Sequence, residues 1–320
     1  MRKSFLNTKT ALSLVLSFIL PLQMLATELG EAGKRLAALP GVSNVETLES
    51  AHFPEKYVFF IRQQLDAKDA SKGGFDQRVV LCHRGFDRPT VFVTEGYNGR
   101  YALYSNYIEE LAKLFDTNII LAEYRYFDKS MPKERNWDYL TVENSLYDLH
   151  HINETLRTMY NGKWISTGIS KGGQTTMFYR SYFPDDVDIS VPYVAPLNRA
   201  LEDVRPEIFI NDKVSTKENR RKVIDFQTLL FERKAALMPL MEEYCKEMKY
   251  TFKEPLENVF DFCVLEYSFA FWQWGYNVDR IPTREATDEQ LFGYLMEISE
   301  PSYFTNQTGN VSFNVQAARE

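Results

Sequence analysis

Ser170 stands between Gly168 and Gly172 in the segment WISTGISKGG, residues 164–173, and this G-x-S-x-G spacing is the strongest chemical signal in the chain. A serine hydroxyl is a weak nucleophile until a turn presents it and neighbouring groups activate it. The residues before Ser170 read as a short buried strand and those after it as a helix, which is the context that makes the motif a nucleophile elbow. Such a turn crowds the positions two before and two after the nucleophile, so both must be glycine. The helix N-terminus beneath the hydroxyl favours negative charge. The backbone N–H of Lys171 is then the first expected donor to the oxyanion of a tetrahedral intermediate. The second is expected from the Gly96–Tyr97–Asn98 loop, through Tyr97 or Asn98. The implied chemistry is acyl transfer through an acyl-enzyme on Ser170.

Rival residues weigh less. Ser71–Lys72–Gly73–Gly74 repeats the letters of 170–173, but it lacks the preceding glycine and strand and reads as a polar turn. Ser130 and Lys133 match S-x-x-K without the companion motifs of that chemistry. Lys171 diverges from Ser170 on the turn, which argues against a Ser–Lys dyad. Asp148, His150 and His151 lie in mid-helix and upstream of the serine, whereas this fold orders its triad Ser, then Asp or Glu, then His. They read as structural. No histidine follows His151. The expectation is therefore that the acid and base lie beyond the chain end. By this reading the 320 residues form a truncated, inactive fragment that lacks the last strands of the sheet.

The elements that must position Ser170 are legible from periodicity. Residues 57–64 and 78–83 read as a hairpin around a polar loop, and 90–94 as a short buried strand ending in the loop EGYNG. Apolar spacing predicts a helix over 104–115, a strand over 118–122 and a helix over 142–159 that Gly162 can close. A strand over 164–167, a helix over 172–183 and a strand over 190–195 follow. Strands alternating with helices predict an α/β fold, a mostly parallel sheet covered on both faces. Past Asn198 the pattern becomes helical, charged and aromatic. The expected organisation is a core over 27–198, a helical cap over 199–300 and a return to the core from 301 to 320.

Composition narrows the remaining options. With 44% hydrophobic and 25% charged residues the chain is globular, and with a net charge of −7 nothing suggests a nucleic-acid partner. Arg2, Lys3 and Lys9 precede the apolar run Ala11–Leu22, and Ala26 offers a cleavage point. This reads as a secretory signal over 1–26, too short to span a bilayer, so the protein is expected to be secreted or periplasmic without a stable membrane anchor. The three cysteines form no metal spacing, and the favoured reading for at least one is a buried apolar residue. No metal or cofactor is implied.

Between residues 78 and 198 the sequence resembles the secreted tripeptidyl aminopeptidase family of serine peptidases. The resemblance is carried by His83–Arg84–Gly85 with Arg88–Pro89–Thr90, TEGYN at 94–98, EYRYF at 123–127 with Ser130 and Pro132, and Trp137 with Leu140–Thr141. It continues through STGISKGG at 166–173, FPDDVD at 183–188 and YVAP at 193–196, and more loosely through FWQWG at 271–275. It implies an α/β-hydrolase core with a helical cap, and release of short peptides from substrates with free N-termini. Only Ser170 carries over as catalytic by position. Glu123 is a candidate partner for the substrate ammonium, or else a structural partner of Arg125, and Trp272 and Trp274 are candidate pocket residues. A secreted esterase or lipase of the same fold is the alternative, as is a non-catalytic binding fragment.

Overall fold

The computed structural model describes residues 28–200 and 202–320. The leader expected over 1–26 lies outside the described residues. A seven-stranded mixed sheet is built from β1 (Val42–Thr47), β2 (Glu55–Gln64), β3 (Gly74–His83), β4 (Thr90–Thr94), β5 (Asn118–Ala122), β6 (Trp164–Ile169) and β7 (Ile189–Tyr193). Their spatial order is β1-β2-β3-β5-β4-β6-β7. The first three and β5 pair antiparallel, and β5, β4, β6 and β7 pair parallel. Helices α1 (Glu31–Ala37), α2 (Glu110–Phe115), α3 (Val142–Arg157) and α4 (Lys171–Tyr182) cover the sheet.

Side-chain alternation sorts the strands onto two cores. Phe59, Val79, Leu81, Phe92, Ile120 and Trp164 face α3, where Leu146, Leu149, Ile152 and Leu156 complete the packing. Val80, Cys82, Val91, Val93, Ile119 and Leu121 face the other way, against Tyr107, Leu111 and Ala112. The central strands β4 and β5 are buried along their whole length, which explains why each reads as an unbroken apolar run. This is the α/β-hydrolase arrangement, with the strand-to-helix turn at Ser170 above the carboxyl ends of the parallel strands.

One expected element is shorter than its periodicity. Helix α2 spans only Glu110–Phe115, and the segment before it is irregular. The Lys56 ammonium donates to the Tyr104 carbonyl at 2.7 Å, and the Tyr101 and Tyr107 rings pack 5.5 Å apart. These tertiary contacts outweigh local helix spacing. The chain also forms α1 and β1, which no sequence pattern marked. Helix α3 ends at Arg157, five residues before Gly162.

Beyond residue 204 the described chain is helical: α5 (Arg205–Ile208), α6 (Lys217–Glu232), α7 (Lys234–Glu247), α8 (Leu256–Gln273), α9 (Asp288–Ile298) and α10 (Thr308–Arg319). Helices α6 to α9 pack around their own core of Phe226, Leu230, Met241, Phe260, Val264, Tyr267, Phe271 and Leu295. A capping box at Thr287 and Gln290 opens α9. Helix α10 comes back to the sheet. All three cysteines are buried free thiols, and burial holds Cys82 and Cys263 up at about 12. No helix among the described residues is long and apolar enough to cross a membrane.

Candidate active site

Ser170 links β6 to α4 with φ +55° and ψ −118°, a region that non-glycine residues rarely occupy. A residue held there costs about 1–3 kcal/mol and persists only when its surroundings over-determine it. They do so here. The Ser170 N–H donates to the Tyr193 carbonyl at 3.0 Å, and the Ser170 carbonyl accepts from Gln174 N–H at 2.9 Å. The Thr94 hydroxyl lies within hydrogen-bonding distance of the Thr167 and Gly172 carbonyls, each at 3.2 Å, and of the Thr176 hydroxyl at 2.7 Å. The end of β4 is thereby tied to both arms of the turn. Ser170 itself is exposed and its side chain makes no capping bond.

The glycine requirement is steric. A Cβ on Gly168 would stand 2.4 Å from the backbone carbon and oxygen of Gly172. One on Gly96 would collide with the Lys171 stem and come within 2.9 Å of Gly172 N. The loop after β4 therefore lies directly against the first turn of α4, where N–H groups lack intrahelical partners. The loop that carries Tyr97 and Asn98 and the first turn of α4 at Lys171 thus share one rim.

That rim is braced by residues no local motif announces. Glu123 is buried: it bonds the Arg78 guanidinium, and it accepts from Gly99 N–H at 3.0 Å and from the Ser130 hydroxyl at 2.8 Å. Both its oxygens are taken, so it anchors the loop and has no face left for a substrate ammonium. Nor is it the partner of Arg125, which forms a two-pronged pair with Asp148 at 2.7 Å. Glu95 accepts from the Tyr101 hydroxyl and from Gly96 N–H, the latter at 3.3 Å. Burial pushes its carboxyl above the ordinary range, against the pull of those bonds. From α10, Gln316 donates to the Gly96 carbonyl at 2.9 Å and Glu320 meets the Lys171 ammonium at 3.0 Å.

The rival residues have other occupations. Ser71 is capped by Asp69 in the β2–β3 loop, and Ser130 is buried on Glu123. Lys171 pairs with Glu320 rather than Ser170. The His83 Nδ1 lies 2.8 Å from the Tyr160 hydroxyl, and burial lowers its pKa. His150 is paired with Asp186 at 2.7 Å and His151 with Gln63 at 2.9 Å. His52 is exposed in the loop before β2. Trp272 packs beside Phe271 in the core of the helical unit, whereas Trp274 is 70% exposed. No cavity lined by either together with Ser170 stands out in the described structure.

Comparison with known proteins adds independent information. The chain is 31% identical over 280 residues to the prolyl tri/tetrapeptidyl aminopeptidase of Streptomyces mobaraensis, covering 85% of this chain and 57% of that protein. It is 28% identical over 116 residues to an Arabidopsis thaliana protein named "Probable serine protease EDA2", covering 32% of this chain and 24% of the other. The chain thus spans little more than half the length of the first relative. Solved serine hydrolases overlay loosely: one from carbazole degradation, 18% identical, covers 46% of this chain and 53% of its own at a TM-score of 0.30. The fold assignment rests on the topology above. The family model described as PS-10 peptidase S37 matches residues 28–317, nearly all of the described chain, and the protein belongs to this family of serine peptidases.

Proposed function

We propose that the chain carries the nucleophile of an exported serine exopeptidase that releases short peptides, tripeptides foremost, from free N-termini. Ser170 Oγ attacks the scissile carbonyl while its proton passes to a histidine base. The tetrahedral oxyanion is held by Lys171 N–H and by the Tyr97–Asn98 backbone. Collapse expels the amine, which takes the proton from the histidine, and water then hydrolyses the acyl-enzyme by the same route. His83, His150 and His151 are held by Tyr160, Asp186 and Gln63, and in this reading the base is a histidine outside these 320 residues. The observation that carries the reading is the strained, solvent-facing Ser170 turn with its helix N-terminus and adjoining Gly96–Asn98 loop.

Tripeptide release follows the name of the Streptomyces relative, and export follows the basic and apolar leader over 1–26. The helices over 199–300 act as a cap, with the exposed Trp274 as the aromatic contact available to a peptide. The natural full-length protein should cleave Ala-Ala-Pro-p-nitroanilide with a free amino group well over tenfold faster than the N-acetylated compound, since burying an unpaired charge or losing its partner costs over 1.4 kcal/mol. Equal rates on both would remove the exopeptidase reading. A short-chain nitrophenyl ester hydrolysed faster than any peptide would favour the esterase alternative.

A further inference from the structure

The peptide units of the loop after β4 are each held from the carbonyl side. The Gly96 carbonyl accepts from the Gln316 amide at 2.9 Å, and the Tyr97 carbonyl accepts from Tyr124 N–H at 3.0 Å. A trans peptide unit is planar, so fixing its C=O fixes the N–H on the opposite edge. The Gln316 bond therefore sets the direction of Tyr97 N–H, which has the Glu95 carboxylate as a neighbour, and the Tyr124 bond sets that of Asn98 N–H. We infer that Gln316 is a positioning residue for the oxyanion site, acting through the Gly96–Tyr97 peptide unit. The inference rests on the acyl-transfer reading of Ser170 and this loop.

Several features distinguish this bond from incidental packing. Gln316 is 3% exposed, and a carbonyl only accepts, so the nitrogen end of the amide must face Gly96. Its partner lies 220 residues earlier in the chain. The same helix face is fastened to the same rim twice more. Glu320 pairs with Lys171 at 3.0 Å, with side chains 3% and 12% exposed, and the Tyr124 hydroxyl donates to Glu320 at 2.8 Å. The Phe313 ring lies 5.5 Å from the Tyr97 ring. Helix α10 thus braces both proposed donor segments, the loop and the start of α4. Arg319 fastens α10 elsewhere, to the Asp138 side chain and carbonyl and to the Leu140 carbonyl.

The test uses the natural full-length protein, with active sites counted by fluorophosphonate titration so that misfolded molecules drop out. Gln316→Met keeps the side-chain length and removes the donor, and Gln316→Glu turns a carboxylate on the carbonyl. Losing an oxyanion donor outright costs about 10²–10³ in kcat, so mis-aiming one should lower kcat per active site about 10- to 100-fold, with KM within about twofold. Affinity for Ala-Ala-Pro boronic acid, whose adduct on Ser170 bears the tetrahedral oxygen, should fall in parallel. Arg319→Ala should lower the melting temperature while leaving both per-site quantities unchanged. Unchanged per-site kcat and boronate affinity in both Gln316 variants would overturn the inference, as would equal losses in Arg319→Ala. Failure of the underlying reading shows separately, as peptide hydrolysis that survives Ser170→Ala.

Discussion

At the scale of single residues, Glu95 shows how the site is balanced against stability. Its carboxyl is raised above the ordinary range mainly by burial, so the folded state favours the protonated form. The sign follows from linkage. Below the ordinary glutamate value of about 4.3 the group is protonated folded or unfolded; as pH rises, the unfolded chain releases the proton first and folding loses stability. Glu95→Gln removes that titration. Its melting temperature relative to wild type should therefore rise as pH climbs above about 4.3 and level off once the folded-state carboxyl has also ionised; a pH-independent difference would contradict the placement. Residues of this kind were partly legible. Ser170 was marked by strand, glycine spacing and helix, and Ser71 by the lack of them. The structural partners of Glu123 were not readable, because nothing local shows that Arg78, Gly99 and Ser130 converge on it. Gln316 and Glu320 carry no motif, and only the folded chain brings them to Gly96 and Lys171.

At the scale of elements, the strands and the elbow were the most readable parts. Buried parallel strands are continuous apolar runs, and the β2–β3 hairpin pairs Glu55 with His83 through Gln64 with Gly74. The segment before α2 was not readable, since Lys56 and the Tyr101–Tyr107 pair reshape it from afar. The elbow itself yields a contrast between two glycines. Gly168→Ala would drive a Cβ into the Gly172 backbone and should cost about 1–3 kcal/mol, with loss of per-site activity because the turn must move. Gly293 lies inside α9 with open space around its Cα, so Gly293→Ala should gain about 1 kcal/mol in chemical denaturation. Equal effects from the two substitutions would refute the steric account of the turn.

At the scale of the whole molecule, a sheet unit and a helical unit divide the labour. The sheet and its flanking helices hold Ser170, while α6 to α9 pack among themselves, and α10 returns to the rim of the site. A change to a helical pattern near residue 199 and a return to the core over 301–320 were expected from the sequence; that the returning helix docks on the Gly96 loop was marked by no motif. Among the described residues β7 ends the sheet, with Ile189 half exposed on it. With His83, His150 and His151 held by other partners, the 320 residues alone should show no measurable peptide hydrolysis, and a weak unassisted serine is the reason. The central claim is that one strained serine performs the covalent step. Its most direct test is to inhibit the natural full-length protein with a fluorophosphonate and locate the adduct by peptide mass spectrometry. The account predicts a single stoichiometric adduct on Ser170, formed in step with the loss of peptide hydrolysis; an adduct on another residue, or full activity with Ser170 modified, would contradict it.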